Sequence, residues 1–197
     1  NFYLNLSYFL NPKFIFNLSL VSENYFLNNE YDKTKKILKN FKQEYNFYYW
    51  YRIKKEAQII ARLKNDKESS DYMSSEFNKI QNPNLKFVFD LANFYKNSKK
   101  YKQAIKYYTE IIDALNENSE ILSQIYYRRG ASYERLKIYE SADADFLQSL
   151  KINPDDAYVL NYLAYSWLER NFKVNEAITM LEKAYEMEND DPYIIDS

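Results

Sequence analysis

The sequence predicts an all-α protein assembled from repeated helical hairpins. Small and aromatic residues recur along it with a period close to 35 residues. Asn11-Pro12, Asn82-Pro83, Asn153-Pro154 and Asp191-Pro192 recur with them and hold all four prolines, each placed to end one helix or open the next. No alternation of apolar and polar residues is long enough to build a sheet. Gly130 is the single glycine, so the chain has no glycine-rich loop. Nothing in the 197 residues reads as a linker, and one continuous repeat core is expected.

The elements follow in order. Residues 1–12 read as the second helix of an upstream repeat, with Leu4 and Ser7 at the places of a large and a small packing residue. Full repeats then start at Ile15, Trp50, Leu85, Ser123 and Ala157, at spacings of 35, 35, 38 and 34 residues. The first (15–48) carries Leu18, Val21-Ser22, Tyr25, Tyr31 and Leu38, with Thr34 where alanine is usual. The second (50–83) offers Ala57, Ile60, Ser69 and Met73 and departs furthest from the pattern. The third (85–118) has Leu91-Ala92, Tyr95, Tyr101, Ala104 and Tyr108, and the fourth (123–156) has Tyr126, Gly130, Tyr133, Tyr139, Ala142 and Phe146. The fifth (157–191) has Leu160, Leu163-Ala164, Trp167, Ala177, Leu181 and Ala184, with one extra residue in its internal turn. Residues 192–197 open a further first helix. Both ends therefore read as cuts within a longer repeat protein, and their uncapped faces as places where copies could associate. Packing is the reason for the spacing: neither helix of a hairpin buries its apolar stripe alone, and small residues let the two approach.

The fourth repeat, with Tyr126, Gly130, Tyr133, Tyr139, Ala142, Phe146 and Asn153-Pro154, resembles the tetratricopeptide (TPR) repeat, a helical hairpin of about 34 residues. The resemblance implies a right-handed α-α superhelical solenoid of TPR-like hairpins. It also implies a scaffold or adaptor whose concave face, lined mainly by first helices, binds a protein or peptide partner. By offset within the repeats that face comprises Tyr51, Lys54, Gln58, Phe89, Asn93, Lys96, Gln124, Tyr127, Glu134, Tyr158, Asn161 and Tyr165. Family members that bind chaperone tails carry a clamp of lysine, asparagine and arginine for a terminal carboxylate. Lys54, Gln58 and Asn93 suggest part of it, but Tyr127 and Ala131 stand where the next repeat should offer cations. The expected ligand is instead an extended or helical peptide held by aromatic side chains and amides. The closing residues, Val159 to Trp167 and on through Glu176-Ala177-Ile178 to Ser197, resemble bacterial TPR proteins of the alphaproteobacterial type. Ala164 replaces a glycine of that pattern and Asn189 a proline. This implies a scaffold of the bacterial cytoplasm, periplasm or cell envelope.

Chemistry is narrowly bounded. The chain has no cysteine and no histidine, which excludes disulfides, thiolate zinc sites, cysteine nucleophiles and Ser-His-Asp triads within these residues. No cofactor, metal or catalytic residue is expected. Asp143 and Asp145 lie two apart on a helix and face different ways, and Asp155-Asp156 sit at a helix N-terminus, where the dipole favours carboxylates. Lys35-Lys36 and Lys99-Lys100 read as solvated charges. The run Tyr45-Asn46-Phe47-Tyr48-Tyr49-Trp50-Tyr51 reads mostly as packing, although not every ring in it can face inward. Net charge is −1 overall, but residues 1–80 hold 13 bases and nine acids while residues 153–197 hold three bases and ten acids. That balance disfavours a helical-repeat RNA binder, which needs a basic groove. Residues 1–22 look apolar, but Asn5, Asn11, Pro12 and Asn17 interrupt them, and no membrane span is expected. The alternative reading is a substrate-recruiting arm of a larger enzyme.

Overall fold

The computed structural model describes residues 2–11, 13–44, 46–116 and 119–195. Among them are twelve helices and no strand. Residues 1–87 form one compact unit and residues 88–197 another. The first contains α1 (Phe2–Leu10), α2 (Ile15–Leu27), α3 (Tyr31–Leu38), α4 (Asn46–Leu63) and α5 (Asp66–Phe77). The boundary falls inside α6 (Leu85–Asn97). The second unit continues with α7 (Tyr101–Ala114), α8 (Ile121–Arg135), α9 (Tyr139–Ile152), α10 (Ala157–Glu169), α11 (Val174–Met187) and α12 (Pro192–Ile195).

The small residues are buried where the helices meet. In the first unit Ser22, Thr34, Ala57 and Ser69 have no exposed surface. In the second, Ala92, Ala104, Ala142, Ala164 and Ala177 have none either, and Gly130 is buried. The two early repeats depart from the sequence pattern because hydroxyls stand where methyls are usual, and each hydroxyl is satisfied locally. Thr34 Oγ1 donates to the Glu30 carbonyl at 3.1 Å, and Ser69 Oγ donates to the Ala57 carbonyl on the facing helix at 2.6 Å. A buried hydroxyl so paired costs little. Of the large residues, Leu18, Val21, Ile37, Leu38 and Phe41 form a core in the first unit. Phe146, Val159, Leu163 and Trp167 form one in the second, around Ala131, Ala142, Ala164 and Ala177. Each such side chain contributes roughly 1.5–3 kcal/mol by leaving water.

Four hairpin turns close in one way. Asn29, Lys99, Lys137 and Asn171 adopt left-handed backbone, with φ of 61°, 57°, 61° and 53°. After each, an N–H reaches back to the carbonyl five residues earlier: Glu30 to Tyr25, Lys100 to Tyr95, Ile138 to Tyr133 and Phe172 to Trp167, at 2.8–3.0 Å. This is the helix-ending motif that usually places glycine at the left-handed position. Asparagine tolerates that position, whereas lysine pays for it in backbone strain. The extra residue of the fifth repeat is accommodated by Lys173, also left-handed at φ 45°, immediately before α11.

Three expectations change in detail. Helix α4 begins at Asn46, four residues before Trp50. Ile53 and Ile59 are the fully buried isoleucines of α4, with Ile60 half-buried. Ser7 accepts a hydrogen bond from Asn17 Nδ2 at 2.5 Å, tying α1 to α2, while the Leu4 side chain, Pro12, Tyr45 and residues 196–197 lie outside the described residues. Of the rest of the 45–51 run, Trp50 is buried and Tyr48, Tyr49 and Tyr51 are half-buried. Trp50 packs between the rings of Phe77 and Phe87, Tyr48 and Tyr51 lie on Phe41, and Tyr49 donates to Glu76 at 3.0 Å. Phe47 stays 58% exposed.

Candidate binding groove

In the first unit, Tyr51 is committed to internal contacts. Its hydroxyl lies 3.1 Å from Ser22 Oγ and 3.0 Å from a Glu23 carboxylate oxygen, and Lys55 completes the group by pairing with Glu23 at 2.7 Å. Lys54 is half-buried and Gln58 exposed on the same helix.

In the second unit, two adjoining concavities share Arg135 and Tyr162 and together form a groove. One, of about 440 Å³, is lined by Glu134, Arg135, Asn161, Tyr162, Tyr165, Ser166, Glu169 and Tyr193. The other, of about 500 Å³, is lined by Lys96, Lys99, Tyr101, Tyr127, Ala131, Arg135 and Tyr162. Helices α8 and α10 supply most of this wall. Aromatic packing sets its shape: Tyr162 lies 5.3 Å from Phe146 and 5.9 Å from Tyr127, ring centre to ring centre. Tyr162 donates to Glu134 at 3.1 Å. Burial, reinforced by Glu134, pushes the Tyr162 hydroxyl above its ordinary pKa. Burial does the same chiefly for Tyr127 and Tyr193. These hydroxyls therefore remain neutral donors. Tyr165 is 47% exposed and offers its ring to solvent. On the floor, Ser166 is 4% exposed, and its hydroxyl has no hydrogen-bond partner among the described residues.

Of the residues expected on the concave face, the groove brings together Lys96, Tyr127, Glu134, Asn161 and Tyr165. Others in this unit lie outside its lining. Phe89 packs against Tyr108, Asn93 accepts the Tyr108 hydroxyl at 2.7 Å, and Gln124 is exposed. Tyr158 donates to Asp191 at 2.6 Å. Sequence reasoning missed Arg135, Tyr162 and Tyr193. Arg135 is the last residue of α8, and Tyr193 lies in α12, beyond the five full repeats. Lys99, expected as a solvated turn charge, lines the groove.

The paired carboxylates make internal contacts, Asp155 among them with Lys183 at 2.9 Å. Asp145 receives Arg129 through two bonds of 2.7 and 2.8 Å, and Arg129 also donates to Thr109 at 2.9 Å. Asp143 faces the other way, to Arg170 at 2.7 Å. Asp156 caps α10 by accepting from the Val159 N–H at 3.2 Å. Among the described residues, no cluster of three or more acidic side chains could hold a metal ion, and no helix is long and apolar enough to cross a membrane.

Comparison with known proteins agrees with this architecture. Two family models, both described as tetratricopeptide repeat, match residues 85–114 and 123–156. A TPR repeat-containing protein of Methanocaldococcus jannaschii is 36% identical over 91 residues, which is 46% of this chain and 15% of that protein. A peptidyl-prolyl cis-trans isomerase of Saccharomyces cerevisiae is 30% identical over 84 residues, 43% of this chain and 21% of its own length. The chain thus matches less than a quarter of the length of either relative. These two are archaeal and fungal and do not extend the alphaproteobacterial resemblance of the closing residues. The crystal structure of YrrB, described as a TPR protein with an unusual peptide-binding site, superposes with a TM-score of 0.62 at 14% identity, covering 98% of this chain and 96% of that one. Taken with the buried small residues of the paired helices, these matches identify tetratricopeptide repeats at residues 85–114 and 123–156 of an all-helical chain, a fold of the kind that supports protein–protein interaction.

Proposed function

We propose that the groove of the second unit captures a peptide or protein segment, and that these residues bind without catalysing. The observation that supports this reading is the groove's composition. Neutral tyrosine hydroxyls, the exposed Tyr165 ring and the buried Ser166 hydroxyl lie together on one open wall. Rings supply apolar contact area, and hydroxyls supply donors for a main chain. That YrrB is described as having a peptide-binding site is consistent with it. The repeats are proposed to run over residues 15–48, 50–83, 85–118, 123–156 and 157–191.

The test is a double variant, Tyr165→Ala with Tyr127→Phe, because Tyr127 packs on Phe146 and a larger truncation would disturb the core. The variant should keep its helicity and lose the partners that the wild type retains from a cell extract. Undiminished capture would move the binding surface elsewhere. A second reading, a recruiting arm of a larger enzyme, is favoured by one observation: a relative matched over 21% of its length is an isomerase. RNA binding is disfavoured by the net charge of −1, and retention of labelled RNA on a filter at low salt would revive it.

A further inference from the structure

We propose that the Lys96 end of the groove holds an aspartate or glutamate side chain from within a partner peptide, so that the partner is an acidic segment. The proposal rests on the reading of the groove as a docking site. Three cations, Lys96, Lys99 and Arg135, line that compartment with Tyr101, Tyr127, Tyr162 and Ala131, and its lining contains no carboxylate. Among the described residues neither Lys96 nor Lys99 has an ion-pair partner, while Arg135 pairs with Glu134 at 3.6 Å and bonds the Tyr162 hydroxyl. Behind them Arg128 stacks on Phe89, and its Nε is buried with no acceptor among the described residues. Half-buried Lys96 is held below the ordinary lysine pKa by burial, then by the neighbouring Arg128 and Arg135. Like charges gathered on a partly closed wall repel one another, and an anion placed among them removes that repulsion while gaining charge-assisted hydrogen bonds.

The other compartment carries Glu134 and Glu169 beside the shared Arg135, Tyr165 and Tyr193, so its carboxylates outnumber its cation. It disfavours a second carboxylate and suits an apolar side chain. The groove therefore has a direction, acidic residue at the Lys96 end and apolar residue at the Tyr165 end. The cations do not occupy the clamp positions for a chain terminus, which Tyr127 and Ala131 fill, so an internal side chain is the ligand.

The experiment measures fluorescence anisotropy with three labelled, amide-capped peptides that share their apolar residues and carry Glu, Gln or Lys at the remaining positions. The Glu peptide should bind about tenfold more tightly than the Gln peptide, and the Lys peptide weakest. In Lys99→Asn with Arg135→Gln, the preference for the Glu over the Gln peptide should vanish; asparagine suits the left-handed backbone at position 99. Equal binding of Glu and Gln peptides, or a Glu preference that survives the double variant, overturns the proposal, as does failure of all three to bind. So does tight binding only of uncapped peptides, which would make the ligand a chain terminus. Self-association that the double variant abolishes would instead assign the site to acidic residues of a second copy. Tyr165→Ala separates the two readings. If it weakens all three peptides alike and no Glu preference exists, the groove stands and the acidic partner falls. If Tyr165→Ala changes none of them, the groove itself is wrong.

Discussion

Replacing Gly130 by alanine sets two effects of opposite sign against each other. Gly130 lies inside α8, where alanine favours the helix by about 0.8–1.0 kcal/mol. Against this, a Cβ there would stand 3.1 Å from Asp145 Cβ and 3.1 Å from both Cδ1 and Cε1 of Phe146. Carbon atoms prefer about 3.5–4.0 Å, so the neighbours must retreat by roughly half an ångström. Neither can do so easily. Asp145 is held by both arms of Arg129, and Phe146 is fully buried against Tyr127 and Tyr162. Overpacking of this kind costs about 1–3 kcal/mol. Subtracting the helix gain leaves a net loss of about 0–2 kcal/mol, centred near 1, or a melting temperature lower by about 2–4 °C. The equivalent positions of the other repeats, Ser22, Ala57, Ala92 and Ala164, all carry a Cβ, so the close approach belongs to α8 and α9. The assay is thermal unfolding followed by Trp167 fluorescence in a Trp50→Phe background, since Trp167 shares a core cluster with Phe146. A melting temperature raised by the full helix gain would refute the close-packing argument.

Other perturbations test other features. Lys137→Gly should stabilise the second unit by about 0.5–1 kcal/mol, because glycine adopts the left-handed backbone of that turn without strain; a lower midpoint in urea would contradict this. Asp145→Ala should cost about 3–5 kcal/mol by leaving Arg129 buried without its carboxylate, and Arg129→Met combined with Asp145→Leu should recover most of it in the same assay. The Asp191 carboxyl is held below its ordinary pKa of 3.8 by the Tyr158 hydroxyl, then by the N–H groups of Tyr193 and Ile194. A lowered folded pKa means that the docking of α12 is supported above the unfolded value and loosens as pH falls through the folded one. Tyr193 ring resonances should therefore shift only below about pH 4, and a midpoint near neutrality would sink the assignment.

The fold was legible because its periodicity is carried by residues with one physical job. Ala104, Ala142 and Ala177 are small because helices meet there, and Tyr25, Tyr95, Tyr133 and Trp167 each end a first helix by presenting a carbonyl to the turn. The first two repeats were faint because Thr34 and Ser69 bring hydroxyls to positions where alanine is usual. What was not legible is the groove's full lining. Lys99 and Arg135 meet there only because the turn after α6 and the last turn of α8 come together in space, a proximity that no offset within one repeat encodes. Tyr51 illustrates the opposite failure: its offset suits a binding face, but Ser22 and Glu23 claim its hydroxyl.

The triangle of Thr109, Arg129 and Asp145 has a consequence for how the second unit comes apart. One guanidinium bonds simultaneously to α7, through Thr109, and to α9, through Asp145, while itself belonging to α8. In a linear array each hairpin is stabilised only by its neighbours, so the strength of a single interface decides whether adjacent repeats melt as one block or in sequence. Arg129 acts as a rivet through three consecutive helices. With it in place, α6–α7 and α8–α9 should share one transition; without it, hydrogen exchange in α6 and α7 should become fast while α10 and α11 remain protected.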